Sequence, residues 1–369
     1  MAPDDLGPDE YELLARLASA YYDDGLTQEA LGREFGLSRQ KVQRLLDRAR
    51  TTGVVEIRIS APPWVQLELE RRVRQRHGLA EVIVAPARQD SEAQREEVAR
   101  AAARFLERRL QDGSVVAVSH GRDTGDVPRF FRPAVRMDVT FVSAMGGSPH
   151  TDAPTNPNEI ARSLAERSGG TAVALYAPAY VQSEATRDEL LQHAAVADTL
   201  QRAGAASIAL VGIGGTDDEC TMVRTGCVSQ EELRRLREAG AVGDVVGNYV
   251  DIRGRRLESP ETARLIGLSI DDLHRIDTVV AVVSEREKPL AIRGVLATGV
   301  VDVLIVDEHN ARILAQPGGP AEPGDPAEPG ERAEPGGPAE PAPASQLEPS
   351  RDRAPDRARG RAPDPATRP

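Results

Sequence analysis

Uninterrupted apolar runs recur through most of this chain, and amphipathic stretches separate them. This alternation constrains the fold more than any other feature. Runs of this kind read as strands at Glu81–Ala85, Ser114–Ser119, Asp138–Ala144, Thr171–Ala177, Ser207–Gly215, Val245–Val250, Thr278–Val283 and Val301–Val306. Helical spacing appears at Ser91–Leu110, Asn158–Arg167, Ser229–Ala239, from Lys288 through Leu296, and at Glu308–Leu314. Two of these helices open on a capping-box pattern, Ser91 with Gln94 and Ser229 with Glu232. The segment HGRDTGD after the second strand reads as a polar loop. Strands that stay apolar along their whole length, with helices between them, predict a doubly wound, mainly parallel α/β sheet over residues 79–316. Aromatic residues are only 3% of the chain, so its core has to be aliphatic.

In such sheets ligands bind beyond the carboxyl ends of the strands. Glycines cluster at those ends here, at Gly121, Gly146, Gly147, Gly212, Gly214 and Gly215. A glycine lets backbone N–H groups approach an anion closely. The plainer alternative is that these glycines only make the turns that α/β loops need. Four such loops together favour a small-ligand site.

Ahead of the sheet, the stretch Leu26–Arg50 reads as two short helices and a tight turn. Thr27 and Ser38 suit the two N-caps, and Gly36 with Leu37 suits the turn. Ala30, Leu31 and Phe35, then Val42, Leu45, Leu46 and Ala49, fall on buried faces. An earlier helix over Gly7–Tyr22 supplies Leu13, Leu14, Leu17, Ala18 and Tyr21 to pack on them. The opposite face of the second short helix carries Arg39, Gln40, Gln43 and Arg44, types that read guanine and adenine edges. The pattern is that of a helix-turn-helix with Ser38–Arg50 as recognition helix, so Thr27, Gln28, Ser38, Arg39, Gln40, Lys41, Gln43 and Arg44 are the candidate DNA contacts. Between Thr27 and Arg50 six basic residues stand against three acidic ones, inside a chain of net charge −12. That local reversal of sign is the footprint of a DNA contact. The alternative is an ordinary helical hairpin with a solvated face.

Gly53 should end the recognition helix, and the alternation Val54–Ile59 resembles the wing or exit strand of a winged reader. Ala61, Pro62 and Pro63 break the pattern. The expected organisation is a DNA-binding domain over 1–60, a linker helix within 61–78, the α/β domain over 79–316 and a Pro/Gly-rich tail over 317–369. The linker helix, Trp64–Arg76, suits either a dimer contact or packing on the next domain. The tail repeats PAEPG and is too poor in apolar residues to order itself.

Two cysteines, Cys220 and Cys227, make no disulfide framework and carry no metal-ligand spacing, so no metal or cofactor is expected. The N-terminal MAPDDLGPDE is no signal peptide, and no apolar run nears the ~20 residues that span a bilayer. A cytoplasmic protein without membrane attachment is the expectation. Of 46 basic residues only Lys41 and Lys288 are lysine, which marks both as candidates for work that arginine does badly.

From Tyr11 to Leu314 the chain resembles the SorC/DeoR-type sugar-binding transcriptional regulators. The resemblance rests on YYDDGLTQEALGREFGLSRQKVQRLLDRARTTGVVEI, APAYVQSEATRDELL, ALVGIGG, EELRRLREAGAVGDVVGNYVDIRG, ARLIGLSIDDLHRI and EKPLAIRGVLATGVVDVLIVDEHNARIL, in that order. It implies an effector domain related to sugar-phosphate isomerases and acyl-CoA transferases, a phosphorylated-sugar effector, and dimers or tetramers on operator DNA. By the same resemblance Gly121, Arg122 and Thr124 hold the phosphate and Lys288 reaches the ligand. Asp251 and Asn158 fall where the family has ligand residues. The chain departs from the family pattern at SHGRDTG, where His120 replaces a tryptophan and Asp123 is inserted. It departs again at Val283–Glu285, where the family has Ala-Gly-Gly, and Met145 stands where some relatives have a basic residue. A carboxylate opposes a phosphate cradle, so an unphosphorylated effector and a degenerate site stand beside the phosphosugar.

The functional expectation is a transcriptional regulator that binds double-stranded operator DNA and a carbohydrate or sugar-phosphate effector, as a homodimer or homotetramer. The alternative is a sugar-phosphate isomerase or deaminase with an added DNA-binding domain. In that case His120 and Asp123, which share one loop, would do the acid–base work and Lys288 would form a Schiff base; a loop hydrogen bond and an ordinary charge contact are the plainer readings.

Overall fold

The computed structural model describes residues 7–55, 66–148 and 153–316. Three helices open it: α1 (Pro8–Tyr22), α2 (Gln28–Glu34) and α3 (Arg39–Thr51). Pro8 takes the first turn of α1, where a missing N–H costs nothing. The Thr27 hydroxyl accepts from the Ala30 N–H at 3.2 Å, and that of Ser38 accepts from the Lys41 N–H at 3.2 Å. Each cap therefore starts its helix by satisfying an otherwise orphaned amide. Between the helices Gly36 takes a φ of 64°, and the Leu37 N–H donates to the Gly32 carbonyl at 2.8 Å. Leu14, Leu17, Leu31, Val42, Leu46 and Ala49 are buried in the three-helix core.

Val54 and Val55, the described start of the expected exit strand, form a bend instead. The Val55 N–H is taken by the Ala49 carbonyl at 2.9 Å, which folds the segment back onto α3. The rest of that strand, the Ala61–Pro63 break, Trp64 and the tail from Pro317 lie outside the described residues.

The remainder is α4 (Leu67–His77), β1 (Glu81–Ala85), α5 (Ser91–Arg109), β2 (Val115–Val118), α6 (Arg122–Phe130), β3 (Thr140–Ser143), α7 (Pro157–Ser168), β4 (Thr171–Val173), α8 (Glu184–Gln192) and α9 (Ala194–Gly204). Then follow β5 (Ile208–Gly214), α10 (Thr221–Arg224), α11 (Gln230–Glu238), β6 (Gly243–Val245), β7 (Asn248–Val250), α12 (Ile270–Leu273), β8 (Thr278–Val283), α13 (Pro289–Ala297), β9 (Val303–Asp307) and α14 (Glu308–Ala315). Seven strands run parallel in the order β1-β9-β8-β5-β2-β3-β4, and β6 and β7 form an antiparallel hairpin on the end of β5. Alternate residues of each strand feed opposite faces. Val116, Val118, Phe141, Val280 and Ile305 pack toward α5, α6 and α7, whereas Ala117, Val142, Val211, Val279 and Leu304 join the core on the opposite face with residues of α9, α11, α13 and α14. Helices on both faces make the sheet doubly wound, and both cores are aliphatic.

Several expectations need correction. HGRDTGD is not a loop but the start of α6, hidden from periodicity by Gly125 and by Pro128 inside the helix. The cap of α5 is Asp90, whose carboxylate accepts from the Ala93 N–H at 2.8 Å. Gln94 instead bonds Arg88 N–H and the Pro86 carbonyl, so Ser91 and Gln94 form no capping box. Ser229 and Glu232 do form theirs. The run Val245–Val250 is a hairpin rather than one strand. Val246 and Gly247 turn it with φ of 52° and 75°, the pair of positive values a two-residue hairpin turn requires. α8 and α9 fill a stretch to which periodicity assigns no element. The α4 helix packs on β1 and α14.

A Cβ at Gly32 would lie 2.7 Å from the Leu37 carbonyl oxygen. Helix propensity favours alanine there by about 1 kcal/mol, but overpacking against backbone costs about 1–3 kcal/mol. Gly32→Ala should therefore be net destabilising in urea unfolding, with the α2 and α3 amides exchanging faster. Stability equal to or above that of the parent chain would refute this account of the turn.

Candidate functional site

Strand order reverses between β2 and β5: the chain winds outward through β3 and β4 on one side and through β8 and β9 on the other. The carboxyl ends of β2 and β5 flank this switch point, where open α/β sheets take ligands. His120 and Gly121 follow β2 there, and Gly212–Gly214 end β5 with Gly215 just beyond. Gly121 has φ 153° and ψ 160°, a region that side chains do not enter, and this turns the chain into α6. A Cβ at Gly214 would sit 1.8 Å from Oδ1 of Asp244, so the glycine makes room for that carboxylate. Lys288, at the start of α13, lays its stem over Gly215 and donates from Nζ to the Ile213 carbonyl at 2.7 Å.

The polar groups around this point are closely coupled. Glu285 pairs with Arg122 at 2.6 Å and with Lys288 at 3.0 Å. The Ser284 hydroxyl donates to the buried Asp123 carboxylate. Asp244 is 2% exposed and accepts the Gly247 N–H at 3.0 Å. Its Oδ1 and the Nε2 of His120 are buried and meet no hydrogen-bond partner among the described residues. Both residues line a cavity of about 20 Å³, room for one water. Arg122 also lines a wider cleft of about 670 Å³, together with Ser284 and Glu285.

Of the expected effector residues, Gly121, Arg122, Gly212, Gly214 and Lys288 line the inner cavity. Thr124 is buried beside it, its hydroxyl donating to the Gly121 and Ser119 carbonyls. The others are used elsewhere. The N–H groups of Gly146 and Gly147 donate to the Ile266 and Ala177 carbonyls, so neither is left for an anion. Asn158 accepts from the Ser143 hydroxyl and from the Leu175 N–H at 2.9 Å, bracing β3 to the segment after β4. Asp251 closes a turn by accepting from the N–H groups of Arg253 and Arg255. Asp244 lines the inner cavity and Ser284 and Glu285 line the outer cleft, although none of the three is among the expected contacts. Once Val246-Gly247 is seen as a hairpin turn, Asp244 falls opposite Gly214 at the strand end. Asp123 bonds Ser284, while the His120 Nε2 has no partner among the described residues, so no acid–base pair through that nitrogen is seen between them.

On α3, Ser38, Arg39, Gln40, Lys41, Gln43 and Arg44 are all exposed, as is Thr27, while Gln28 is half-buried. Arg48 pairs with Glu10 at 2.8 Å and Arg50 with Asp47. Arg39, Lys41 and Arg44 have no acidic partner among the described residues. The positive face therefore lies on the amino-terminal half of the helix, and the count of six cations overstates it.

Burial raises the Asp244 carboxyl to about 6, against the opposing pull of the Gly247 N–H and of the Lys288 charge. Burial, then the Lys288 charge, lowers the His120 ring to about 4. The two act on stability in opposite directions. Folded Asp244 keeps a proton that the unfolded chain releases above its ordinary value of 3.8, so its contribution is lost as pH rises toward 6. Folded His120 refuses a proton that the unfolded chain binds below 6.5, so its contribution is lost as pH falls toward 4. Asp244→Asn removes the first effect alone. It should stabilise the chain by on the order of 2–3 kcal/mol at about pH 7.5, with the gain vanishing near pH 4. An equal difference at both pH values in urea unfolding would contradict this.

Residues 62–316 match the family described as "Putative sugar-binding domain". The transcriptional regulator LsrR of Klebsiella pneumoniae is 32% identical over 309 residues, which is 82% of this chain and 92% of that protein. The erythritol catabolism regulatory protein EryD of Brucella abortus is 28% identical over 310 residues, 83% of this chain and 98% of that one. The solved sugar-binding domain of a transcriptional repressor from Vibrio fischeri covers 68% of this chain and 98% of its own at 34% identity, with a TM-score of 0.63. The full-length sorbitol operon regulator SorC from Klebsiella pneumoniae shares the fold, with a TM-score of 0.65 over 84% of this chain and all of its own at 24% identity. With its family match over most of its length and a fold in common with solved members, the chain belongs to the SorC/DeoR-type sugar-binding transcriptional regulators.

Proposed function

We propose that this regulator reads double-stranded operator DNA with α3 and binds a small carbohydrate effector at the β2/β5 switch point. The observation that carries the DNA reading is the exposed face of α3. There Arg39, Gln40, Gln43 and Arg44 stand on a helix capped by Ser38, and the cations among them have no acidic partner among the described residues. An arginine without a carboxylate partner gives up no ion pair when it meets a phosphate or a guanine edge. Lys41 and the caps Thr27 and Ser38, with Gln28, serve as backbone contacts. This makes Leu26–Arg50 a helix-turn-helix within a DNA-binding domain over residues 1–60, followed by a linker over 61–78, an effector domain over 79–316 and a tail over 317–369.

The effector reading rests on the place of the cavity in the fold and on its unpartnered buried groups, His120 Nε2 and Asp244 Oδ1. The names of EryD and SorC tie those relatives to erythritol catabolism and a sorbitol operon, which favours a carbohydrate here too. Within the expected effector set, Gly121, Arg122, Gly212, Gly214 and Lys288 are the contacts, with Thr124 holding the loop. The protein works as a homodimer or homotetramer, because a palindromic operator needs at least two copies of α3. It acts in the cytoplasm and regulates rather than catalyses. No helix among the described residues is long and apolar enough to cross a membrane.

Fluorescence anisotropy with DNA from upstream of the protein's own gene, repeated with a panel of sugars and sugar phosphates, tests both halves. Tight, salt-sensitive binding that one compound shifts is the expected result. Arg44→Ala should abolish specific binding while leaving the unfolding midpoint unchanged. Undiminished operator affinity in that variant would remove Arg44 from the interface, and no specific binding by the parent chain would overturn the DNA reading.

A further inference from the structure

The two cations of the switch-point site already share an anion from within the chain. The Glu285 carboxylate lies 2.6 Å from Arg122 and 3.0 Å from Lys288. Its backbone is held as well, because the Asn310 side-chain amide donates to its carbonyl at 2.8 Å. Lys288 is almost fully buried and Arg122 is half-buried, so this is no loose surface pair. Two further carboxylates, Asp123 and Asp244, close the site from the β2 and β6 sides, each almost fully buried. Around the outer cleft four arginines face five carboxylates. A phosphate entering here would have to expel Glu285 and leave that carboxylate without its partners in a partly desolvated place, beside two other acids. A hydroxyl group faces no such opposition. The unpartnered Asp244 Oδ1 and His120 Nε2 face a cavity with room for a single hydroxyl group.

We propose that Glu285 fills the anion seat formed by Arg122 and Lys288, and that this site takes an uncharged polyhydroxy ligand in place of a phosphate ester. The proposal rests on the effector site described above and adds the class of ligand. Glu285 then works as a specificity determinant: it neutralises both cations and rejects a second anion.

The test uses the full chain and inorganic phosphate as probe, in isothermal titration calorimetry of the parent protein, Glu285→Ala and Glu285→Gln. The parent should give no saturable binding. Both variants, which leave Arg122 and Lys288 without their anion, should bind phosphate about tenfold tighter or more. Glu285→Gln keeps the side chain's shape and serves if the alanine variant does not fold. Phosphate binding to the parent as tight as to the variants, or no gain in either folded variant, overturns the seat.

Operator anisotropy with matched pairs, each a free sugar or polyol and its phosphate ester, gives the second arm. The free compound alone should shift the parent, and the ester should gain an effect on Glu285→Ala. A shift of the parent by the ester alone overturns the ligand class. If no compound shifts either protein while DNA binding persists, the effector reading fails and the ligand class falls with it. The calorimetry decides separately whether Glu285 occupies the seat.

Discussion

The reversal of strand order between β2 and β5 is the constraint on which the rest of the effector domain depends. Parallel strands need helical crossovers, and winding outward in two directions from one line leaves a gap over the two central strand ends. Here the gap is narrow. Gly121 crosses it with a backbone conformation closed to side chains, and Gly214 gives its missing Cβ volume to Asp244. The hairpin β6–β7, the start of α13 and the start of α6 then converge on one point. Each brings a charged residue to this point, and Asp123, Asp244 and Lys288 are almost fully buried there.

Charges brought together this way must be paired, since an isolated ion in a partly buried place costs several kcal/mol. The site solves this unevenly. Arg122, Glu285 and Lys288 neutralise one another, with the Ile213 carbonyl taking a further donor of Lys288. Asp123 has the Ser284 hydroxyl, but Asp244 has only one N–H for its two oxygens. The polar capacity left over is therefore that of hydrogen bonding rather than of net positive charge, which sets this chain apart from a phosphate cradle.

The opposite holds on α3. Elsewhere on the protein a set of surface arginines, Arg162, Arg234 and Arg312 among them, sit three or four residues from a carboxylate, in ion pairs worth little in stability. Arg39, Lys41 and Arg44 stand outside that pattern. A net charge of −12 keeps non-specific attraction to nucleic acid low, so the proposed reading of DNA rests on this small positive face and on the glutamines within it.

The sequence by itself determined the alternation of strands and helices, the boundaries of β1 and β8 to the residue, and the caps Thr27, Ser38 and Ser229. These depend on periodicity and on contacts within four residues, which a linear reading captures. Family resemblance then named the loop after β2 and Lys288. Only the tertiary structure decided which strand ends meet, and so which of the candidate glycines face a cavity. Gly146 and Gly147 resemble Gly214 and Gly215 in sequence, yet their N–H groups are consumed by a neighbouring segment. It decided that Asp244 and Glu285, rather than Asp251 and Asn158, line the switch point. It also showed Arg48 and Arg50 to be paired, while Arg39 and Arg44 meet no acidic partner among the described residues. In each case the deciding quantity is the partner of a polar group more than a few residues away or around a helix turn. Composition and spacing carry no record of that, because hydrogen bonds and ion pairs are settled only when the packed chain brings their atoms within about 3 Å.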